Sequence, residues 1–469
     1  MKNILRNGKA DLSLFHKFNK KNPHHGKVKT ITNEEGVKIE DEDEMKDEFK
    51  NHYVTLLQKR EAETPEEKED EELVNKLISS LVKCTNNNNH ITTTPEDVEE
   101  VVKTLKKKKA QDATGWRNEH MIFGGREMSV ALAKIFTMID RQKRTPKQWE
   151  MMKIKSLFKE GKKMASNTRG LFITSVVSKV KEKTIRNRNT ISSSIFQLGG
   201  KKGVAPVDHT LVMLEMINRN RYLGCDTYLV FVDMQKCFDK LWLEDGVLEL
   251  WRSGMDATDA RIILEMNKTA RATLDTPVGM IDEIVLKNVC KQGTVYAVLI
   301  GCKTMERING IGGKATTCFG PKLQIESLTY VDDIAGGGRK STIETTIENC
   351  RVLEERKKAY VNLEKSKWMK IGKCEKTTEM EAEVKAGKML ETSEYKHLGT
   401  WVNNKDTYKT NIEKRKCKGE AAVKRIMKES HPSKVGKQEV PLKIALFTTV
   451  YIPTLLYNME GRAKVEKGE

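Results

Sequence analysis

The spacing of apolar and polar residues divides the first third of the chain into helices. Apolar residues recur every three or four positions in residues 43–59, which predicts an amphipathic helix. Thr94-Pro95 supplies a capping residue and a first-turn proline, so a helix is expected from there to about Lys107. Residues 112–150 also carry helical spacing. The pattern therefore predicts a charged helical arm over residues 1–95, followed by a domain that starts at residue 96.

Extended segments follow, and two of them end on acidic residues. Residues 227–232 form a continuous β-branched and aromatic run before Asp233, which is typical of a buried strand. Residues 324–331 predict a second strand that ends on Asp332-Asp333, and the glycines 336–338 after it predict a turn. Two strands would thus deliver carboxylates at their ends. We also predict helical segments at 235–251 and 342–360 and one short strand at 395–402.

Charge points to a polyanionic partner. The 469 residues contain 84 Lys and Arg against 66 Asp and Glu, a net charge of +18. The excess is uneven, because residues 41–72 are acidic while residues 103–109, 153–188 and 414–428 are basic. Such clustered positive charge favours nucleic acid as a partner, whereas the plainer interpretation is charge for solubility alone.

Cysteine placement and hydropathy exclude several classes of protein. The nine cysteines are scattered without a Cys-x-x-Cys pair, so neither a zinc site nor a disulfide framework is expected. No apolar signal segment begins the chain and no run is long enough to span a membrane. We therefore expect an intracellular protein without a membrane partner, and the sequence leaves nucleus and cytoplasm equally open.

The acids at the strand ends suit phosphoryl transfer. This chemistry needs positive charge on the attacking and leaving oxygens, which two Mg²⁺ ions about 3.5–4 Å apart supply. Mg²⁺ prefers oxygen ligands, and carboxylates on neighbouring rigid elements provide them. Asp233, Asp332 and Asp333 meet this requirement as predicted ligands of two Mg²⁺ ions. An adjacent Asp pair alone is weak evidence, but this pair follows an apolar strand.

Two motifs resemble those of reverse transcriptases of non-LTR (LINE-type) retrotransposons. Tyr330-Val331-Asp332-Asp333 looks like the catalytic hairpin of that family, and residues 233–239 (Asp-Met-Gln-Lys-Cys-Phe-Asp) resemble its first metal motif. The two motifs occur in the family's order, about a hundred residues apart. The resemblance extends from about residue 111 to residue 402. It implies that Asp233 and Asp332 are the principal metal ligands and Asp333 an outer one.

The resemblance also implies nucleotide contacts. Phe238 corresponds to the steric gate that selects dNTPs, and Arg169 of Asn-Thr-Arg-Gly to the finger arginine that reaches the triphosphate. Gln292-Gly293 resembles the start of the nucleotide-positioning motif, although Val295-Tyr-Ala-Val replaces the prolines usual in the family. Residues 362–367 (Asn-Leu-Glu-Lys-Ser-Lys) resemble the element whose lysine protonates pyrophosphate, and Lys365 and Lys367 are equal candidates for that role.

Further motifs imply contacts with template and primer. Residues 197–203 are similar to the family's Gln-x-Gly-Phe-x-x-Gly segment, which makes Gly200, Lys201 and Gly203 candidates for the template path. Leu398-Gly399 lies in a segment that looks like the primer-grip strand. The implied partners are an RNA template, a DNA primer and dNTPs.

The fold class implied is α+β, in the right-hand arrangement of polymerases. Fingers are expected over residues 111–225, a palm of antiparallel strands and helices over 226–402, and a partial helical thumb over 403–469. The segment before residue 96 is too short for the endonuclease that such elements carry, which would then be supplied in trans.

Three other functions compete with this interpretation. A viral RNA-dependent RNA polymerase usually has Gly-Asp-Asp at the hairpin and no bulky gate, so Tyr330 and Phe238 argue against it. A nuclease would need a further Glu or His at a suitable spacing. The strongest alternative is a truncated, catalytically inactive retroelement remnant that only binds nucleic acid, because the positioning motif departs from the family.

Overall fold

The computed structural model of the protein describes most of the chain from residue 28 to residue 457, together with four residues near the N-terminus. The described ranges are 5–6, 9–10, 28–58, 61–86, 91–309, 317–319, 323–325, 327–372, 382–385, 387–405, 409–429 and 439–457.

Fourteen α-helices are present among the described residues, numbered here in chain order. They are α1 Glu42–Leu57, α2 Pro65–Asn86, α3 Pro95–Lys103, α4 Asn118–Phe123, α5 Gly125–Gln142, α6 Val176–Arg188, α7 Pro206–Tyr222, α8 Leu243–Arg252, α9 Ala257–Lys268, α10 Val295–Glu306, α11 Lys340–Lys357, α12 Lys409–Glu429, α13 Glu439–Leu446 and α14 Ile452–Leu456.

The described strands are mostly short. They are β1 Leu5–Arg6, β2 Lys9–Ala10, β3 Ile31–Thr32, β4 Lys38–Ile39, β5 Met151–Phe158, β6 Thr168–Ile173, β7 Thr227–Val232, β8 Thr269–Thr276, β9 Gly279–Lys287, β10 Thr317–Phe319, β11 Leu323–Ile325, β12 Leu328–Tyr330, β13 Asp333–Gly338, β14 Lys367–Ile371, β15 Glu383–Val384, β16 Gly387–Lys388, β17 Leu390–Glu391, β18 Glu394–His397 and β19 Thr400–Asn403.

A five-stranded sheet in the order β12-β13-β7-β14-β17 carries the predicted acids. Its central strand β7 pairs antiparallel with β13 on one side and β14 on the other. All six residues of β7 are buried, because helices cover both faces. Val230 and Val232 pack with α11, whereas Leu229 and Phe231 pack with α7. This two-sided burial explains why the strand reads as an uninterrupted apolar run.

A four-stranded sheet in the order β6-β5-β8-β9 packs against α1. Met152 and Ile154 of β5 are buried with Phe49 and Tyr53 of α1. The Tyr53 hydroxyl donates to Ser156 Oγ at 3.0 Å. Strands β5 and β6 lie in the range predicted as fingers, whereas β8 and β9 lie in the range predicted as palm. The sheet therefore joins the two predicted ranges.

Helices α1 and α2 belong to the arm predicted over residues 1–95, and both are packed into the molecule. Phe49 of α1 lies in the core of the four-stranded sheet. Leu81 of α2 shares a core with Val98 of α3, and Val74 packs with Trp242. No helix among the described residues combines the length and apolarity needed to cross a membrane.

The prediction of a turn at glycines 336–338 is wrong, since these residues lie inside strand β13. The turn lies earlier, at Val331-Asp332. An ideal Cβ on Gly337 would overlap Met216 of α7, and one on Gly336 would lie 3.1 Å from Thr346 Oγ1 of α11. The glycines therefore allow two helices to approach the strand closely.

Other boundaries differ from the sequence prediction. Residues 235–251 are not one helix: a 3-10 turn, Cys237–Asp239, precedes α8. Residues 324–331 are not one strand, because β11 pairs with β10 whereas β12 pairs with β13. Residues 395–402 form the antiparallel hairpin β18–β19 rather than a single strand. Strand β7 and the start of α3 at Pro95 confirm their predictions, and the Thr94 hydroxyl caps α3.

Candidate active site

Asp233 follows the central strand β7 and its backbone is fixed by the segment before β14. Its N–H donates to Ser366 Oγ at 3.0 Å, and its carbonyl accepts from the N–H of Asn362 at 2.8 Å. Ser366 is fully buried. Residues 362–367, which the sequence singled out for Lys365 and Lys367, thus also supply the groups that hold the backbone of Asp233. The sequence pattern did not reveal this role.

Asp332 and Asp333 lie beside Asp233 because of the strand register. Ile334 of β13 pairs with Val232 of β7, so one step further in the same register brings Asp333 opposite Asp233. Asp332 occupies the tight turn between β12 and β13. The structure therefore places the three acidic residues that the sequence singled out at the adjoining ends of β7 and the β12–β13 hairpin.

Burial and repulsion between negative charges raise the pKa values of Asp332 and Asp333. Burial, followed by the negative charges of Asp332 and Asp233, raises the pKa of Asp333 to about 6. Burial and the charge of Asp233 also raise the pKa of Asp332, while Lys365 and Arg169 act in the opposite direction. Carboxylates that repel one another in this way favour a cation between them.

The donor set fits Mg²⁺ in its chemistry. Oxygen ligands on a strand end and a tight turn match a hard divalent cation, which binds through one or two carboxylates together with substrate phosphates. In the part of the chain that the structure describes, no group of three or more His, Cys, Asp and Glu side chains is arranged as a metal-binding cluster. Substrate oxygens would therefore have to complete the coordination.

The structure distinguishes the two candidate lysines. Lys365 Nζ lies 3.5 Å from Asp233 Oδ2 and its side chain is 65% exposed. Lys367 Nζ instead donates to the carbonyl of Leu363 at 3.1 Å. The Lys365 ammonium thus lies beside the Asp233 carboxylate and is accessible, whereas the Lys367 ammonium forms a hydrogen bond within its own loop.

Arg169 and a second cation, Lys159, lie on the hairpin β5–β6. Arg169 is an exposed residue of β6, and its charge acts on Asp332. Burial and the charges of Arg169 and Lys365 lower the pKa of Lys159, which places all three cations near one another. Lys159 was not predicted from the sequence, although it lies ten residues before Arg169 within the basic segment 153–188.

Phe238 and Gln292-Gly293 flank helix α10. An ideal Cβ on Gly301 of α10 would lie 3.1 Å from the Phe238 ring, so the ring rests on the helix where a side chain is missing. Gly293 has a φ of +87°, and a Cβ there would lie 3.5 Å from the carbonyl of Phe172 in β6. The positioning motif therefore lies against the strand that carries Arg169.

The three residues predicted for the template path have different environments. A Cβ on Gly200 would lie 3.5 Å from Cys302 Sγ of α10, so this glycine lies against that helix. Lys201 Nζ donates to the carbonyl of Ser194 at 2.6 Å, within its own loop. Gly203 has a φ of +82° and open space around it.

Leu398 and Gly399 form the turn of the β18–β19 hairpin. The Tyr457 hydroxyl donates to the Leu398 carbonyl at 3.4 Å, and the Arg415 guanidinium donates to the Gly399 carbonyl. At the start of this hairpin, the Tyr395 ring stacks on Phe231 of β7 at a centroid distance of 4.3 Å. Burial and the charges of Asp233 and Asp333 raise the pKa of Tyr395 to about 12, so the hairpin lies close to the carboxylates.

Comparison with known proteins gives two matches. Residues 105–402, more than half of the chain, match the family model described as "Reverse transcriptase (RNA-dependent DNA polymerase)". A stretch of 129 residues is 33% identical to the "Probable RNA-directed DNA polymerase from transposon BS" of Drosophila melanogaster. That stretch covers 25% of this chain and 14% of the transposon protein.

Proposed function

This chain belongs to the reverse transcriptase (RNA-dependent DNA polymerase) family, and we propose that it adds dNTPs to the 3′-hydroxyl of a DNA primer on an RNA template. The observation that carries this proposal is the convergence of Asp233, Asp332 and Asp333 beside the cations Lys365 and Arg169. We further propose that the chain comes from a non-LTR retrotransposon, on the motifs at residues 233–239 and 330–333.

The carboxylates would hold two Mg²⁺ ions and position the reacting groups. Bound there, Mg²⁺ supplies positive charge to the attacking and leaving oxygens. Asp233 and Asp332 would be the principal ligands and Asp333 an outer one. The contacts with Ser366 and Asn362 hold the backbone that carries the Asp233 carboxylate before substrate arrives, which would limit reorganisation during the reaction.

The exposed cations suit an incoming triphosphate. Arg169 would bind phosphate oxygens through its fork of N–H donors, and Lys159 at the loop end of the same hairpin would add a second charge. Phe238 would lie beneath the sugar and exclude a 2′-hydroxyl. Gln292 would contact the nucleotide, and Gly293 would let its backbone approach closely.

Template and primer contacts follow from the same arrangement. Gly200, Lys201 and Gly203 would line the template path, and Leu398-Gly399 would support the primer near the carboxylates. The chain has a net charge of +18, and its lysine and arginine side chains would contact the phosphates of template and primer. Binding through these contacts would weaken as the salt concentration rises.

We also propose a division of the chain into the domains of a right-hand polymerase. Residues 111–225 would form fingers, residues 226–402 a palm and residues 403–469 part of a thumb, preceded by the segment 1–95. An endonuclease for the retrotransposition cycle would be supplied in trans.

Primer extension tests the proposed function. Purified protein is incubated with poly(rA)·oligo(dT), Mg²⁺ and dTTP, beside an Asp332→Ala variant and a reaction without template. We expect incorporation by the wild type that disappears in both controls. If folded wild-type protein retains the primer–template but incorporates no dTTP, the inactive nucleic-acid-binding remnant replaces this proposal.

Lys365 should act as the general acid that protonates pyrophosphate, and Lys367 should not. Lys365→Met is expected to lower kcat by about 10²-fold, because general acid catalysis contributes about 10²–10⁴-fold. Lys367→Met is the matched control, since it removes the same group two residues away and breaks the contact with the Leu363 carbonyl. Single-nucleotide extension across pH measures both variants. Equal losses in the two variants would refute the assignment.

A further inference from the structure

Gln197 is a buried glutamine whose side chain contacts the turn that carries Asp332. Its side chain is fully buried. Its Oε1 accepts from the N–H of Val331 at 2.9 Å and from that of Gly199 at 2.9 Å, and its Nε2 donates to the Val331 carbonyl at 3.2 Å. One side chain therefore satisfies both backbone polar groups of Val331.

Val331 needs this support because of its backbone conformation. Its φ is +63°, in the left-handed region that β-branched residues strongly disfavour. Such a conformation persists only where the surroundings hold it. Val331 directly precedes Asp332, so a relaxed Val331 would re-aim the carboxylates that follow it.

The segment around Gln197 is built onto the turn. Residues 196 and 198 flank Gln197 and bracket Thr329 of β12: the Thr329 N–H donates to the Phe196 carbonyl at 2.9 Å, and the Leu198 N–H donates to the Thr329 carbonyl at 2.8 Å. An ideal Cβ on Gly199 would overlap the Val331 backbone nitrogen. Backbone pairing with Thr329, the absence of a side chain at Gly199 and two hydrogen bonds between Gln197 and Val331 thus join this segment to the turn and the strand before it.

We propose that Gln197 is a positioning residue: it holds Val331 in the left-handed conformation and thereby fixes Asp332 and Asp333 for binding a divalent cation. This inference rests on the proposed function, because the carboxylates are assigned there as metal ligands. Gln197 itself lies behind the turn and would touch neither nucleotide nor metal.

Gln197→Met tests the role, because methionine keeps the length of the side chain and removes its three hydrogen bonds. We expect kcat for primer extension to fall by about 10- to 100-fold and the affinity for Mn²⁺ to fall by a similar factor, as for other residues that orient metal ligands. KM for dTTP should change far less. Electron paramagnetic resonance measures Mn²⁺ binding without any turnover. Gln142→Met, at an exposed position at the end of α5, is the control for the substitution.

Rescue separates positioning from general damage to the fold. Glycine adopts a positive φ freely, so Val331→Gly removes the need for support. In the Val331→Gly background, Gln197→Met should lower kcat and the affinity for Mn²⁺ by less than about threefold, because the effects of the two substitutions are coupled. Gly199→Ala disturbs the turn from the other side by crowding the Val331 nitrogen, and Val331→Gly should not rescue it because the nitrogen remains.

The Mn²⁺ affinities test the role of Gln197 independently of whether the protein extends a primer. Loss of Mn²⁺ affinity in Gln197→Met with recovery in the Val331→Gly background supports it, even if the wild type extends no primer and the proposed function fails. Unchanged Mn²⁺ affinity, or an equal loss in both backgrounds, overturns it. If Gln197→Met does not fold, the Gly199→Ala variant decides: unchanged Mn²⁺ affinity there shows that the turn does not fix the carboxylates.

Discussion

Replacing Asp233 with asparagine is expected to lower the rate of primer extension by about 10³-fold or more, a loss of about 4 kcal/mol in transition-state stabilisation. Asparagine keeps the size of the side chain and removes its charge. The backbone of Asp233 is held by Ser366 and Asn362 independently of the side chain, so the substitution should leave β7 in place. The loss should therefore appear in catalysis rather than in folding.

Binding of primer–template should not weaken in the same variant. Nucleic acid carries negative charge, and removing a carboxylate from the site reduces repulsion. Single-turnover extension and equilibrium binding of a labelled primer–template measure the two properties separately. Asp226→Asn is the matched control, because Asp226 directly precedes the same strand at its opposite end and pairs with Lys370 at 3.0 Å.

We expect the control to extend primer within about threefold of the wild type, since Asp226 lies at the end of β7 remote from Asp233. An Asp233→Asn protein that keeps more than about a tenth of the wild-type rate would contradict the assignment, because removal of an essential charge-stabilising group costs about 10²–10³-fold. Equal losses in both variants would instead point to damage to the sheet.

The end of the strand before Asp233 was predictable from the sequence because its signal is local. Strand β7 is covered on both faces, so it had to be apolar throughout, and the first polar residue after it marks its end. The segment 330–333 was indicated by its motif, and the register of β13 against β7 then brings Asp333 beside Asp233. Where a pattern of a few residues carried the information, the positions of the residues were predictable.

The remaining features depend on contacts between distant segments. Glycines 336–338 suggested a turn, but Gly336 lies against Thr346 of the helix that follows it, and Gly337 lies against Met216 of α7, which is far earlier in the chain. Gln197 was read as part of a template motif, whereas its contact is with Val331, 134 residues later. Lys365 and Lys367 were equal in sequence, and only the direction of each side chain separates them.

Two buried histidines should make the protein sensitive to acid. His209 of α7 and His397 of β18 lie with ring centroids 4.8 Å apart, and both are buried. Burial lowers the pKa of His209 to about 4. Burial, followed by the charge of His209, lowers the pKa of His397 well below its ordinary value. Neither imidazole should carry a proton in the native protein at pH 5.

The unfolded chain protonates both histidines near pH 6.5, so it binds more protons than the native state between about pH 6.5 and 4. The free energy of unfolding should therefore fall as the pH falls through this window. His209 alone accounts for about 3 kcal/mol by pH 4, because each pKa unit corresponds to about 1.4 kcal/mol. His397 shifts in the same direction and adds to the loss.

Urea unfolding at pH 7 and at pH 4.5 measures the effect in the wild type and in His209→Phe/His397→Phe. Phenylalanine keeps a ring at each position and cannot titrate, so the double variant should lose much less stability between the two pH values. His120→Gln, at an exposed position in α4, should behave as the wild type does. An unchanged pH dependence in the double variant would show that other groups govern acid unfolding, and that the contact between α7 and the β18–β19 hairpin does not depend on neutral imidazoles.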